Sequence, residues 1–281
     1  MTEEYTHFKI GFLKTLWLIR EYLPEIVIGG GWVPLIYYHY LLGEKSRFPI
    51  LTRDIDIMVN ENIPIKGSKT LDKLFTDAGL KAVFQDIGSA HPVTHYEGKI
   101  DNYVVEIEFL TNLKGRGDKD VVMVQKGLYA EALRYISIST QNTLEILIDD
   151  LQLIGESQGL IIKVPTPGAF LFHKGLTLDR RRESQKKGKD LYYIFDVLVN
   201  CIESETQIVE ELRRLKSEYP TKWFKRFITN LEVFFEDVSS DGIRLVQSQR
   251  PPNSFDSMND DQFRQYVFGI FSAFIEKLRS L

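Results

Sequence analysis

The chain has 281 residues, of which 43% are hydrophobic and 26% are charged, so it is long enough to form two domains with buried cores. Its formal net charge of −4 argues against broad electrostatic capture of nucleic acid, although a local basic patch could still bind phosphates. The single cysteine, Cys201, excludes an intrachain disulfide and a cysteine-rich zinc site, so any bound metal would be held by oxygen.

The first predicted elements are a helix, a short strand and a second helix. Apolar residues recur at helical spacing through residues 8–23, and the apolar residues 26–28 predict a strand. Glycines occupy positions 29–31. Pro34, which is tolerated in the first turn of a helix, then indicates a helix over residues 32–43. The glycines are therefore expected at a strand-to-helix turn, where a phosphate could approach the backbone.

Two aspartates, Asp54 and Asp56, sit one residue apart in the alternating strand predicted for residues 54–59. Because successive side chains leave opposite faces of a strand, both carboxylates should point to one face. Paired carboxylates bind Mg²⁺, which takes oxygen ligands and usually keeps substrate phosphates among them. This pair, following a glycine turn, indicates phosphoryl or nucleotidyl transfer.

A third carboxylate is available on a later strand. Residues 68–79 predict a helix capped by Ser68, and strands are predicted near residues 80–86, 101–110 and 121–125. The second of these strands carries Glu106 and Glu108 on one face. A solvated surface strand would show the same pattern, but acids on adjacent strands repel one another unless a cation lies between them. The residues alone leave open which glutamate would be the ligand.

The pattern becomes helical after Pro165-Thr166-Pro167, which predicts one domain over residues 1–165 and a helical domain over residues 166–281. The basic residues between Arg180 and Lys189 predict an exposed turn that could also attract phosphates. Five helices are predicted, over residues 169–178, 190–199, 206–219, 223–235 and 262–278.

The motifs of several other enzyme classes are absent from this sequence. His91 and His95 are four residues apart, but Pro92 between them makes a helix improbable and shared metal ligation weak. The sequence contains neither the Gly-x-Ser-x-Gly turn of serine hydrolases nor the phosphate loop of P-loop kinases.

Taken in order, these features resemble the nucleotidyltransferase superfamily with the polymerase-β-type fold. In that superfamily the glycine motif usually contains serine, whereas here glycines 29–31 precede Trp32. This variant is more similar to the minimal nucleotidyltransferases of the abortive-infection toxin type. The segment Thr52-Arg53-Asp54-Ile55-Asp56 resembles their Arg-x-Asp-x-Asp-like motif. Ile107-Glu108-Phe109-Leu110 resembles their third motif, which favours Glu108 over Glu106.

The resemblance extends to residue 198. Those enzymes contain a Lys…Arg…Lys-Asp-x-x-Asp run, and the similar residues in this chain are Lys174, Arg180–Arg182, Lys189-Asp190 and Asp196. It implies an α/β (α+β) fold, with a mixed sheet flanked by helices and followed by a helical bundle that completes the nucleotide and acceptor site. It also implies that Asp54, Asp56 and Glu108 are catalytic and bind two Mg²⁺ ions. Residues that would contact the nucleotide are Gly29, Gly30, Arg53, Lys174, Lys189 and Asp190.

The resulting hypothesis is a transferase that moves an NMP from an NTP, such as ATP, to an acceptor hydroxyl. The acceptor would be tRNA or another RNA, a protein or a small molecule, and a toxin-like role with an antitoxin partner is compatible with each. The alternative is a catalytically silent fold that serves as a nucleotide-binding or protein-interaction module. No apolar run reaches membrane-spanning length and the first residues lack a signal peptide, so we expect a cytoplasmic protein without a membrane partner.

Overall fold

The computed structural model describes residues 3–43, 50, 52–60, 62–83, 95–115, 121–201, 205–252 and 254–281. The chain divides into two units. The first contains Met1–Ile36 and Leu51–Pro165, and the second contains Tyr37–Ile50 and Thr166–Leu281. The first unit combines a mixed sheet with helices and the second is helical, which confirms the predicted fold class.

A mixed sheet of seven strands, counted over the described residues, forms the centre of the first unit. The strand order is β1-β2-β5-β4-β3, and β7 pairs with β5 beyond the end of β4 while β6 pairs with β7. The β2–β5 and β5–β7 pairs are parallel and the others are antiparallel. The strands are β1 Ile26–Ile28, β2 Asp54–Val59, β3 Lys81–Val83, β4 His95–Ile100, β5 Tyr103–Asn112, β6 Val121–Gln125 and β7 Leu128–Leu133.

The remaining elements of the first unit lie around this sheet. A separate antiparallel pair, β8 and β9, follows it in the chain. These elements are α1 Glu3–Leu18, a 3-10 helix Arg20–Glu25, α2 Trp32–Ile36, α3 Leu71–Asp77, α4 Ile136–Gln141, β8 Thr143–Ile148, a 3-10 helix Leu151–Ile154 and β9 Leu160–Pro165. The sequence analysis did not predict β4, β7, β8, β9 or α4.

One face of β5 supplies the core of the first unit. Val105, Ile107 and Phe109 alternate along the strand and are at most 2% exposed. The ring of Phe109 lies 5.9 Å from that of Phe75 in α3, between ring centroids. The apolar face of β5 is therefore buried, and its alternate residues occupy the opposite face.

Thr70 caps α3 by accepting a hydrogen bond from the Lys73 backbone N–H at 3.2 Å, so the predicted cap at Ser68 is wrong.

The second unit is helical, and its helices differ from the prediction at three places. Lys186 and Lys187 lie inside α6, so the prediction of a turn over them is wrong, and α9 was not predicted. The predicted helix over residues 32–43 changes at Tyr37 from α2 to a π-helical segment, Tyr37–Leu41. The helices are α5 Pro167–Thr177, α6 Ser184–Asn200, α7 Glu205–Glu218, α8 Thr221–Phe234, α9 Asp241–Ser248 and α10 Asp260–Ser280.

In the part of the chain that the structure describes, no helix is both long and apolar enough to cross a membrane.

Close packing of α5 against α8 gives a test of the second unit. A Cβ atom added at Gly175 would overlap the ring of Phe227, whereas at Gly269 in α10 it would meet nothing within 4 Å. Replacing a helical glycine by alanine normally stabilises a helix by about 1 kcal/mol. We expect Gly269→Ala to raise the melting temperature and Gly175→Ala to lower it, since the overlap costs about 1–3 kcal/mol. Thermal unfolding followed by circular dichroism measures both, and a Gly175→Ala protein as stable as the wild type would contradict the packing described.

Candidate active site

Four carboxylates lie on the face of the sheet opposite the apolar face of β5. Asp54 is the register partner of Glu106, and Asp56 is the register partner of Glu108. Register partners on adjacent strands project to the same side of a sheet, and residues two apart on one strand do so as well. The structure thus brings together the acids that the sequence pattern singled out. Their chemical role stays a prediction.

The negative charge accumulated on this face contributes to a raised pKa of both glutamates. Burial and the charges of Asp56, Asp54 and Glu106 raise the pKa of Glu108 to about 7. Burial and the neighbouring Asp54 also raise the pKa of Glu106, although His95 opposes that rise. Protonation relieves such repulsion, and a bound cation would relieve it more completely. Each glutamate lies beside one aspartate and is raised in pKa, so the choice of Glu108 over Glu106 as third ligand stays a prediction.

The donor set fits a hard divalent cation, because all the candidate ligands are carboxylate oxygens on adjacent strands. Within the described residues, no three His, Cys, Asp or Glu side chains already stand as the ligands of one ion. The backbone register brings the carboxylates to one face, and rotation about their side-chain bonds would be needed to close a ligand set.

The glycine turn contacts the acidic strand directly. The Gly29 backbone N–H donates a hydrogen bond of 2.8 Å to the backbone oxygen of Asp56, so this amide is engaged within the protein. Gly30 has a φ of +63°, and an added Cβ there would overlap the Asp56 carboxylate. Position 30 therefore requires glycine for its backbone conformation and for the approach of Asp56. Of the two glycines predicted to contact the nucleotide, Gly29 bonds to the backbone of Asp56 and Gly30 lies against its side-chain carboxylate.

Trp32, which follows the three glycines, has a packing role. Its indole is 2% exposed and stacks on Phe12 of α1, with ring centroids 4.1 Å apart and planes 10° from parallel. The Trp32 side chain therefore packs the glycine turn against α1.

The structure does not bring Arg53 onto the carboxylate face. Its guanidinium lies 5.6 Å from the ring centroid of Phe8 in α1. That helix packs on the apolar face, since a Cβ at Gly11 would lie 3.1 Å from the Val105 Cγ1 atom. A nucleotide contact by Arg53 stays a prediction, and its present contact is with an aromatic ring.

In the second unit, Lys174 and Asp190 form a buried ion pair. The Lys174 Nζ atom lies 2.6 Å from Asp190 Oδ1, and the Arg181 Nε atom lies 2.8 Å from Asp190 Oδ2. Lys174 is 8% exposed and Asp190 is 3% exposed, so neither side chain faces solvent. Burial alone would raise the pKa of Asp190, but Lys174 and Arg181 outweigh it and hold the pKa below its ordinary value.

This pairing joins α5 to α6 and accounts for Lys174 and Asp190 without a ligand. Removing one partner from such a pair typically costs about 3–5 kcal/mol, because it leaves a buried charge uncompensated. Lys189, the neighbour of Asp190 in the chain, is half-buried in α6. Contacts of these residues with a nucleotide stay predictions.

Sequence reasoning missed His95 as a member of the acidic face. His95 begins β4 and is the register partner of Glu108, while Glu97 is the register partner of Glu106. The sequence analysis considered His95 only together with His91 as a metal-binding pair. The polar and small residues Glu97, Gly98 and Lys99 give no strand signal in the sequence, and the register of β4 against β5 is set by the sheet.

Comparison with known proteins identifies the family. A family model described as nucleotidyltransferase matches residues 23–213, more than half of the chain. The matched part includes the glycine turn, the four carboxylates and the Lys174–Asp190 pair. No curated protein and no solved structure matches the chain. The chain belongs to this nucleotidyltransferase family.

Proposed function

We propose that this protein is a Mg²⁺-dependent nucleotidyltransferase that moves an NMP from an NTP to an acceptor hydroxyl and releases pyrophosphate. Family membership supports nucleotidyl transfer in general. The observation that carries the proposal is the register pairing of Asp56 with Glu108, beside the close contact of Gly30 with Asp56. Carboxylates on adjacent strands next to a glycine turn form a cation site at which a phosphate can approach the backbone.

Each residue of this face has a definable part in the reaction. Asp54, Asp56 and Glu108 would hold two ions, and the missing Cβ at Gly30 lets the Asp56 carboxylate lie close to the turn against which the triphosphate would bind. Bound Mg²⁺ would supply charge compensation for the phosphates and lower the pKa of the acceptor hydroxyl. Glu108 is half-buried, and partial removal of water from its carboxylate strengthens its attraction to a cation.

A toxin-like role would account for the motif similarity to the abortive-infection enzymes. In that case the acceptor would be a cellular RNA or protein, the protein would act in the cytoplasm, and an antitoxin would restrain it. Growth arrest on expression, relieved by Asp56→Ala, would support this role. Normal growth during expression of an active wild-type enzyme would contradict it.

Loss of either aspartate should abolish transfer. We expect Asp54→Asn and Asp56→Asn each to lower the rate by at least roughly hundredfold, because the metals supply several kcal/mol of transition-state stabilisation. The assay offers each of the four α-labelled NTPs and Mg²⁺ together with total cell RNA, extracted protein or an aminoglycoside. Thermal unfolding of each variant tests whether the fold is retained.

Full activity in either variant would contradict the proposed mechanism. Transfer by the wild type alone to one acceptor would identify the substrate class. Nucleotide binding by the wild type without transfer to any acceptor would favour the catalytically silent nucleotide-binding module.

The raised pKa of Glu108 predicts how the metal-free protein responds to pH. The folded state keeps a proton on Glu108 between the ordinary pKa of 4.5 and about 7, whereas the unfolded state releases it. The free energy of unfolding should therefore fall as pH rises through this range and stay low above it. We expect Glu108→Gln to raise the melting temperature in EDTA at pH 8 and to change it little at pH 4.5.

Addition of Mg²⁺ should stabilise the wild type at pH 8, since the cation compensates the charge that Glu108→Gln removes. The matched control is Glu145→Gln on β8, an exposed glutamate away from this face. Equal effects of Glu108→Gln at the two pH values would show that Glu108 is not under the repulsion described.

A further inference from the structure

The residues of the acidic face lie in a row that crosses strands β2, β5 and β4. The turn at Gly30 contacts Asp56 on β2, Asp56 is opposite Glu108 on β5, and Glu108 is opposite His95 on β4. Adjacent strands are about 4.8 Å apart, so the backbones at Asp56 and His95 are separated by about 10 Å, with Glu108 between them. The glycine turn and His95 therefore lie on opposite sides of the carboxylates.

His95 has hydrogen-bonding capacity that the described protein leaves available. The side chain is half-buried, and it forms no hydrogen bond with any residue that the structure describes. His95 opposes the rise in the pKa of Glu106, which indicates that the imidazole is near the carboxylates. Both ring nitrogens can bond to a ligand, one as donor and the other as acceptor in the neutral ring. Because the side chain is only partly buried, an acceptor arriving from solvent could reach these nitrogens.

The direction of the proposed reaction assigns the two sides of the carboxylates. In nucleotidyl transfer the attacking and leaving oxygens lie roughly in line on opposite sides of the α-phosphorus. A bond forms between the acceptor oxygen and the α-phosphorus, and the bond to the bridging oxygen breaks. Pyrophosphate leaves with that electron pair, and the hydroxyl proton passes to water. With the triphosphate against the turn at Gly30, the leaving group is on the β1 side and the acceptor enters from the β4 side.

We propose that His95 is an acceptor-binding residue, which donates or accepts a hydrogen bond beside the attacking hydroxyl and orients it towards the α-phosphorus. This inference rests on the proposed function. It assigns β4 to acceptor recognition and the glycine turn to nucleotide recognition. Consequently, removal of the imidazole should impair use of the acceptor and leave nucleotide binding intact.

The test compares His95→Leu, which removes the hydrogen bond, with His95→Gln, which keeps an amide donor and acceptor. His7→Leu is the matched control, because His7 is a half-buried histidine of the same unit on α1, away from the carboxylate face. For each protein, calorimetry gives the affinity for α,β-methylene NTP analogues with Mg²⁺. Transfer is measured at increasing amounts of the RNA, protein or aminoglycoside that accepts label from the wild type.

We expect His95→Leu to lower kcat/KM for the acceptor by roughly tenfold to a hundredfold, the effect of losing one hydrogen bond in an active site. Nucleotide affinity should be unchanged, His95→Gln should recover part of the loss, and His7→Leu should behave as the wild type. A parallel loss of nucleotide affinity, or an unchanged acceptor kcat/KM in a folded His95→Leu protein, would overturn the assignment. If the wild type transfers to no acceptor, the proposed function fails and this inference fails with it. Transfer by the wild type that is insensitive to His95→Leu removes only the inference.

Discussion

The parallel pairing of β2 with β5 is the constraint on which the first unit depends. It places Asp54 and Asp56 beside Glu106 and Glu108, an arrangement that costs free energy in the absence of a cation. The opposite face of the same strands compensates, because Val105, Ile107 and Phe109 are almost completely buried there. Because side chains alternate along β5, the placement of the acids and the burial of the apolar residues depend on one register. A shift of one residue would bury the acids and expose the core.

Much of this sheet could be predicted from the sequence, because β2 and β5 show the two-residue period of half-buried strands. The strand β4 could not, since Glu97, Gly98 and Lys99 are polar or small and only pairing with β5 gives them extended structure. The early start of α6 was missed for a similar reason. A run of basic residues shows no helical pattern of apolar side chains. In the structure, however, the Lys187 ammonium lies 5.3 Å from the ring centroid of Phe234, a contact with another helix that the local sequence does not show.

For the candidate site, sequence reasoning identified the acids but not their neighbours. Asp54, Asp56 and Glu108 follow from spacing on single strands, a property that is local in the chain. The ion pairs of Asp190 with Lys174 and Arg181, and the position of His95 beside Glu108, arise from contacts between separate elements. A lysine in an amphipathic helix is usually exposed, and burial of Lys174 is possible because an acid on the next helix compensates its charge.

The segment Tyr37–Leu41 bears on how the chain acquires its structure during synthesis. It leaves the first unit directly after α2 and belongs to the second, where the ring of Tyr37 lies 6.2 Å from that of Phe170. Tyr37 is buried, yet Phe170, against which it packs, emerges from the ribosome more than a hundred residues later. A nascent chain that has completed the first unit must therefore hold this aromatic segment uncovered, a stage at which a chaperone could bind it.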